Sequence, residues 1–257
     1  MKVEPLTIIK IKLRAYLSSF KQVKNAGKFV IYGQGRTGST LLTDLLNSHP
    51  QIACTNELFH RWRSLFEGKA WFPYRYLRGM EVQASPYIFF FFFKIYQLIR
   101  VQKIDPEDFL NRLEARGYQI IYLRRNNFLE HALSGIIRRR RNSSSFFKKG
   151  YTYQENPFEV SIEVLKKELN YRADNQELEL KYLEGRKYLE VIYERDLKDS
   201  KEHQKISNTL FNYLGLESVK VETKLQKINK KRSKDVLSNY DELSAYFKNT
   251  PFGKFFL

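Results

Sequence analysis

Residues 29 to 50 read FVIYGQGRTGSTLLTDLLNSHP: a short apolar run, a glycine-rich turn, then an apolar pattern of helical period. An apolar run this short reads as a buried strand, Phe29 to Tyr32, and the glycines that follow permit a tight turn into the helix. Such a junction gathers backbone N–H groups at the positive end of a helix, which makes an anion site. It also restricts the fold, because strands alternating with helices imply a parallel sheet covered on both faces. The turn fits the phosphate-loop pattern G-x-x-x-x-G-K-[ST], except that Ser39 stands where the lysine belongs.

The rest of the chain repeats the alternation. Strands are expected at 28–33, 51–55, 118–123 (YQIIYL) and 188–193 (YLEVIY), and helices at about 38–48, 126–141, 158–183, 201–214 and 234–247. Residues 61–117 are expected to be irregular, aromatic and basic, with helices around the site. The expected fold is α/β: a P-loop-like three-layer arrangement with a central parallel β-sheet flanked by helices. It forms a single domain over 1–257, with 1–25 as a basic amphipathic N-terminal segment and 61–117 as a variable acceptor-side region.

The charge is +17, from 45 Lys plus Arg against 28 Asp plus Glu, which favours an anionic partner without choosing among them. One cysteine, Cys54, excludes an intrachain disulfide and suits a reducing compartment. The four histidines lack metal-ligand spacing, so no metal site is expected. The segment LTIIKIKLRAYLSSFKQVK is broken by lysines, unlike a signal peptide; it reads as a helix that packs on the domain or lies on a membrane surface. The run YIFFFFFKIY at 87–96 is too short to span a bilayer and reads as buried core.

Two familiar readings of the loop fit poorly. A P-loop nucleotide-binding enzyme of the kinase or NTPase type needs the missing lysine and a Mg²⁺-binding carboxylate, for which only Glu194 and Asp196 are at hand. An NAD(P)-binding oxidoreductase would use GQGRTG as G-x-G-x-x-G, with Glu57 as the ribose-binding acid, but an arginine inside that turn is unusual. A basic, aromatic-rich nucleic-acid or membrane module without catalysis would bind any polyanion in a salt-dependent way.

A third reading accounts for more residues. Arg36-Thr37-Gly38-Ser39-Thr40 matches [KR]-[ST]-G-[ST]-[ST], and the stretch GRTGSTLL followed by NSHPQIACTNELF resembles the bacterial carbohydrate and lipopolysaccharide-type sulfotransferases that use 3′-phosphoadenosine 5′-phosphosulfate (PAPS). By that resemblance the cation is not missing; it lies three residues earlier, as Arg36. A second block, IIYLRRNNFLEHALSG, resembles the family's strand-arginine and helix-serine pair, with Arg124 or Arg125 and Ser134 as the 3′-phosphate ligands. The spacing to Ser134 is nine residues from Arg125 and ten from Arg124, against a usual eight. A third block, YLEVIYERDL through NYLGL to KLQKINKKRSKDVLSNYDEL, resembles the end of the same group.

The resemblance implies roles. Gly35, Arg36, Thr37, Gly38, Ser39 and Thr40 would cradle the 5′-phosphate, and Arg36 would also stabilise charge on the leaving group. Lys231 and Arg232 would close over the nucleotide, and His131 could line its site. Glu57 or His60 would be the base. Arg138 to Arg141 read as a solvated face or a contact for an acidic acceptor rather than part of the cofactor site, while Arg61, Trp62, Arg63, Trp71, Tyr74, Arg75 and Arg78 could form an acceptor cleft. The reaction expected is sulfuryl transfer from PAPS, without a metal, to a hydroxyl of a carbohydrate or glycolipid. The enzyme is expected in the cytoplasm, with peripheral contact to the inner membrane and no nucleic-acid partner.

Overall fold

The stretch IFFFFF cannot alternate inward and outward, so it demands a place buried on both faces, and the fold supplies one. It forms β3 (Ile88–Phe93), wholly buried between β2 (Ile52–Thr55) and β1 (Lys28–Gly33). Beyond β1 lie β4 (Tyr118–Arg124) and β6 (Tyr188–Ile192), giving a five-stranded sheet in the order β2-β3-β1-β4-β6. Every pairing in it is parallel. A two-residue antiparallel pair, β5 (Phe147–Lys148) with β7 (Leu225–Gln226), stands apart. The computed structural model describes residues 5–22, 27–55, 57–59, 70–141, 147–148, 156–223, 225–226 and 232–256.

Helices cover both faces, as a parallel sheet requires. One face packs α1 (Pro5–Ser18), α3 (Pro73–Ala84) and α4 (Pro106–Ala115) around Val30, Phe89, Phe91, Phe93 and Ile120. The other packs α2 (Ser39–Leu46) and α7 (His203–Tyr213) around Phe29, Ile31, Phe90, Phe92 and Ile121. The even- and odd-numbered residues of β4 thus separate onto different faces. A third cluster joins α5 (Phe128–Arg141) and α6 (Ile162–Leu183) to the C-terminal helices α8 (Ser233–Val236) and α9 (Tyr240–Phe247).

The α/β expectation holds, and each of the four expected strands is present within a residue or two. One expectation is corrected: 61–117 is not simply helical and irregular, because it contributes β3 to the middle of the sheet. The single helix expected at 234–247 is two, interrupted between Val236 and Tyr240. Strand order also disposes of the oxidoreductase reading. In a dinucleotide-binding sheet β2 lies beside β1, so that its terminal acid reaches the ribose. Here β3 intervenes. The chain winds from β1 to both sides, which makes the C-terminal end of β1 the switch point where such sheets bind ligands.

Candidate active site

The turn from β1 into α2 is built around one left-handed glycine. Gly38 has φ 94° and caps α2, and a Cβ there would lie 2.8 Å from the ring of Tyr193. The Thr37 hydroxyl donates to the Gln34 carbonyl at 2.7 Å inside the turn, which leaves the backbone N–H groups at the helix start as its anion ligands. The Gly35 carbonyl is held from behind by the buried His131 Nε2 at 2.8 Å and by Arg172 at 3.4 Å. Burial first, then Arg172 and Arg125, hold His131 well below the usual histidine range. It is therefore a neutral ring whose Nε2–H donates, a brace for the turn. Gly38→Ala forces a left-handed side chain and a ring clash. It is expected to lower the melting temperature by roughly 5 °C, a cost of about 2 kcal/mol, in a thermal unfolding scan.

Arg36 departs from ordinary backbone geometry at φ 75°, an uncommon conformation for a residue with a Cβ. Its guanidinium reaches α5, donating from Nε and a terminal nitrogen to the Ser134 hydroxyl at 3.1 and 2.9 Å. Two blocks 98 residues apart in sequence therefore meet. Burial pushes the Arg36 pKa down to about 10, and Arg138, Arg125 and Arg172 push it the same way. Arg138 is exposed, in keeping with a solvated face, and still lies within electrostatic reach of Arg36.

Strand alternation separates the two arginines at the end of β4. Arg124 belongs to the α1 and α3 side and pairs with Glu190 of β6 at 2.7 Å, with Asn126 as a second acceptor. Arg125 belongs to the α2 side. It is nearly buried, pairs with Glu194 at 3.0 Å and lies 4.4 Å above the Tyr193 ring, the ring that underlies Gly38. Arg125, not Arg124, therefore shares the site with Arg36 and Ser134. Glu194 and Asp196 are already engaged, Glu194 by Arg125 and the Asn126 N–H, and Asp196 by Arg195 and the Ile192 N–H.

Lys94 follows β3 directly, and sequence reasoning missed it. A Cβ on Gly35 would meet Lys94 Cε at 3.1 Å and Nζ at 3.4 Å. The same Nζ is 2.7 Å from Glu57 Oε1, while Gln97 donates to Glu57 Oε2 at 3.0 Å. Burial lowers the Lys94 pKa; Glu57 opposes that shift, and Arg138 and Arg36 add to it. Glu57 is thus brought to the turn, but through a lysine.

His60, Lys231, Arg61, Trp62 and Arg63 fall outside the described residues. Arg232 is exposed at the start of α8, where it pairs with Asp235 at 3.5 Å. Arg78 donates to the carbonyls of Ser19 and Lys21, and Arg75 lies over Phe20 and Phe72, so both face the turn that follows α1. Tyr74 donates to Asp108 and stacks on Phe109.

Residues 28–86 match the family model described as the sulfotransferase family. That span carries the turn, Arg36, Glu57 and α3. A crystal structure of a sulfotransferase from Alicyclobacillus acidocaldarius superimposes with a TM-score of 0.50 at 13% identity, covering 88% of this chain and 92% of that one, and so shares the fold. No curated protein matches the chain. The chain is thus similar to the sulfotransferase family through the turn, over residues 28–86, and shares its fold with a sulfotransferase.

Proposed function

We propose that this chain transfers a sulfuryl group from PAPS to a hydroxyl of a carbohydrate or glycolipid acceptor in the cytoplasm. The observation that carries the reading is the cationic cluster at the glycine turn. Arg36, Arg125, Arg138, Arg172 and Lys94 converge there, and Arg36 is destabilised by burial and by three of the others. Cations held together against their mutual repulsion suit an anion of high charge density.

The donor would supply a sulfuryl group on a good leaving group. The N–H groups from Thr37 to Thr40 would take its 5′-phosphate, as helix starts do. Arg125 and Ser134 would take its 3′-phosphate; Arg125 can bind as a planar fork, and it lies over the Tyr193 ring. Arg36 would face the oxygen that gains charge as the S–O bond breaks. Glu57 would accept the acceptor's hydroxyl proton once an anion competes for Lys94. In the present arrangement Lys94 and Gln97 occupy both of its oxygens.

The test is thermal stabilisation without metal by adenosine 3′,5′-bisphosphate, compared with ADP, ATP-Mg²⁺ and NADPH. The bisphosphate alone is expected to raise the melting temperature. Arg125→Ala is expected to weaken it by about a hundredfold, and Arg124→Ala by less than about threefold. Stabilisation by ATP-Mg²⁺ or NADPH instead would reassign the enzyme class.

A further inference from the structure

We propose that α1 and the entry to α3 form a docking face for an anionic lipid bilayer. The two helices cross at very close range: a Cβ on Gly79 would fall 1.7 Å from the Ala15 carbonyl oxygen. The crossing is pinned by the Phe72 N–H, which donates to the Tyr16 hydroxyl at 3.3 Å, and by Arg78, which donates to the Ser19 carbonyl at 3.0 Å. Ala15 and Ser19 are therefore buried.

The outward side of the same helix carries large exposed apolar side chains among its cations. Leu13 and Leu17 stand one turn apart, and Phe20 follows. The Arg75 guanidinium lies 5.3 Å from the Phe20 ring and 5.9 Å from the Phe72 ring, which joins Phe20 to Phe72 and its neighbour Trp71 in one patch. These five apolar side chains are 56% to 74% exposed. Large apolar residues normally scatter singly over a surface; a run of five marks a contact face.

Charge selects the occupant. Lys10, Arg14, Lys21 and Arg75 are exposed around the patch, and residues 5–22 contain no Asp or Glu. A second copy of this face would set those cations against their like. A soluble polyanion would leave the apolar side chains wet. An anionic bilayer satisfies both halves, taking leucine and aromatic side chains into its interface and holding lysine and arginine at its headgroups. The helix of a parallel crossover runs back against the strands. The start of α3, with Trp71 and Phe72, therefore lies toward the C-terminal end of the sheet, which bears the glycine turn. Docking would present that end to a membrane-borne acceptor. This consequence rests on the proposed sulfotransfer; the docking does not.

Co-sedimentation of the full chain with vesicles tests it. Binding is expected to phosphatidylcholine vesicles containing phosphatidylglycerol and not to phosphatidylcholine alone. Leu17→Ser with Phe20→Ser, and separately Trp71→Ser with Phe72→Ser, are expected to weaken binding at least about tenfold with no change in net charge. Tryptophan quenching by brominated acyl chains is expected in the parent and lost in Trp71→Phe. Vesicle binding that survives both apolar pairs would reduce the effect to bulk charge and overturn the proposal. So would a solution dimer abolished by the same substitutions. Bisphosphate binding measured on the same variants keeps the two readings separate: if it persists without vesicle binding, only the docking fails.

Discussion

Lys94→Met is expected to lower kcat for sulfuryl transfer about a thousandfold, while bisphosphate affinity changes less than about threefold. Methionine keeps an unbranched apolar stem, one atom shorter, and loses the charge. Lys94 reaches the turn from β3, its Nζ against Gly35, in a setting dry enough to depress its pKa. A cation so placed has most effect where negative charge develops during reaction, because little solvent screens it. The bisphosphate product lacks the sulfuryl group and so would not report the loss. Glu57 complicates the reading, since removing Lys94 also strips that carboxylate of its ion-pair partner. Glu57→Gln and the double variant resolve the two roles. If Lys94 serves only to hold Glu57, all three enzymes lose the same activity. If Lys94 acts on the reacting group and Glu57 is the base, the losses differ and Lys94→Arg restores part of the rate. The pH profile gives a second test. Lys94 titrates below the ordinary lysine value of 10.5, so rate is lost as pH rises through that lowered pKa. Glu57 supports the charged form, and Glu57→Gln is expected to move the alkaline limb lower. A kcat within tenfold of the parent in Lys94→Met would remove the lysine from the chemistry.

The turn was legible because glycine spacing, a buried strand and a helix start coincide within 22 residues. Its partner Ser134 was legible only through resemblance, since nothing local to α5 announces a contact 98 residues away. Arg124 and Arg125 could not be separated by spacing; strand alternation separates them once β4 has a register. The stretch IFFFFF hid β3, because an unbroken apolar run carries no period to distinguish a buried strand from a buried helix. Lys94 was hidden with it, as its place beside Gly35 depends on β3 lying next to β1. A signal for the buried polar cluster was present and went unread. Along α6 the buried positions run Leu165, Leu169, Arg172, Glu179 and Leu183, so two charged residues occupy an otherwise apolar stripe.

Glu179 is the acid in that stripe, and the stability of the fold is expected to fall as pH rises because of it. It is fully buried, with one carboxyl oxygen accepting from the Tyr122 hydroxyl at 3.1 Å. The other oxygen is buried and has no hydrogen-bond partner among the described residues. Desolvation raises its pKa from 4.5 to about 8, against the smaller opposing effects of Tyr122, Gln34 and Arg172. In the unfolded chain the group ionises near 4.5; in the fold it keeps its proton to about 8. Between those values the native state holds more protons than the unfolded state, so stability is full below the lower value and declines until the upper one is passed. The upper bound on this loss is roughly 5 kcal/mol, or on the order of 10 °C in melting temperature for a chain of this size. His131 acts in the opposite sense. Its depressed pKa gives stability that is present above the unfolded histidine value and lost as pH falls. Glu179→Gln leaves His131 in place and keeps an acceptor for Tyr122, so the difference between parent and variant isolates the acid. The parent's melting temperature is expected to drop between pH 5 and pH 8 by several degrees more than the variant's. Parallel profiles would mean that Glu179 is ionised in the fold, with Arg172 as its counter-charge. The consequence reaches the site: Gln34, whose side chain donates to the Arg172 carbonyl at 3.0 Å, is part of the glycine turn itself. Ionising Glu179 places a charge beneath that turn, so bisphosphate affinity is expected to weaken over the same pH interval in the parent and to stay level in Glu179→Gln.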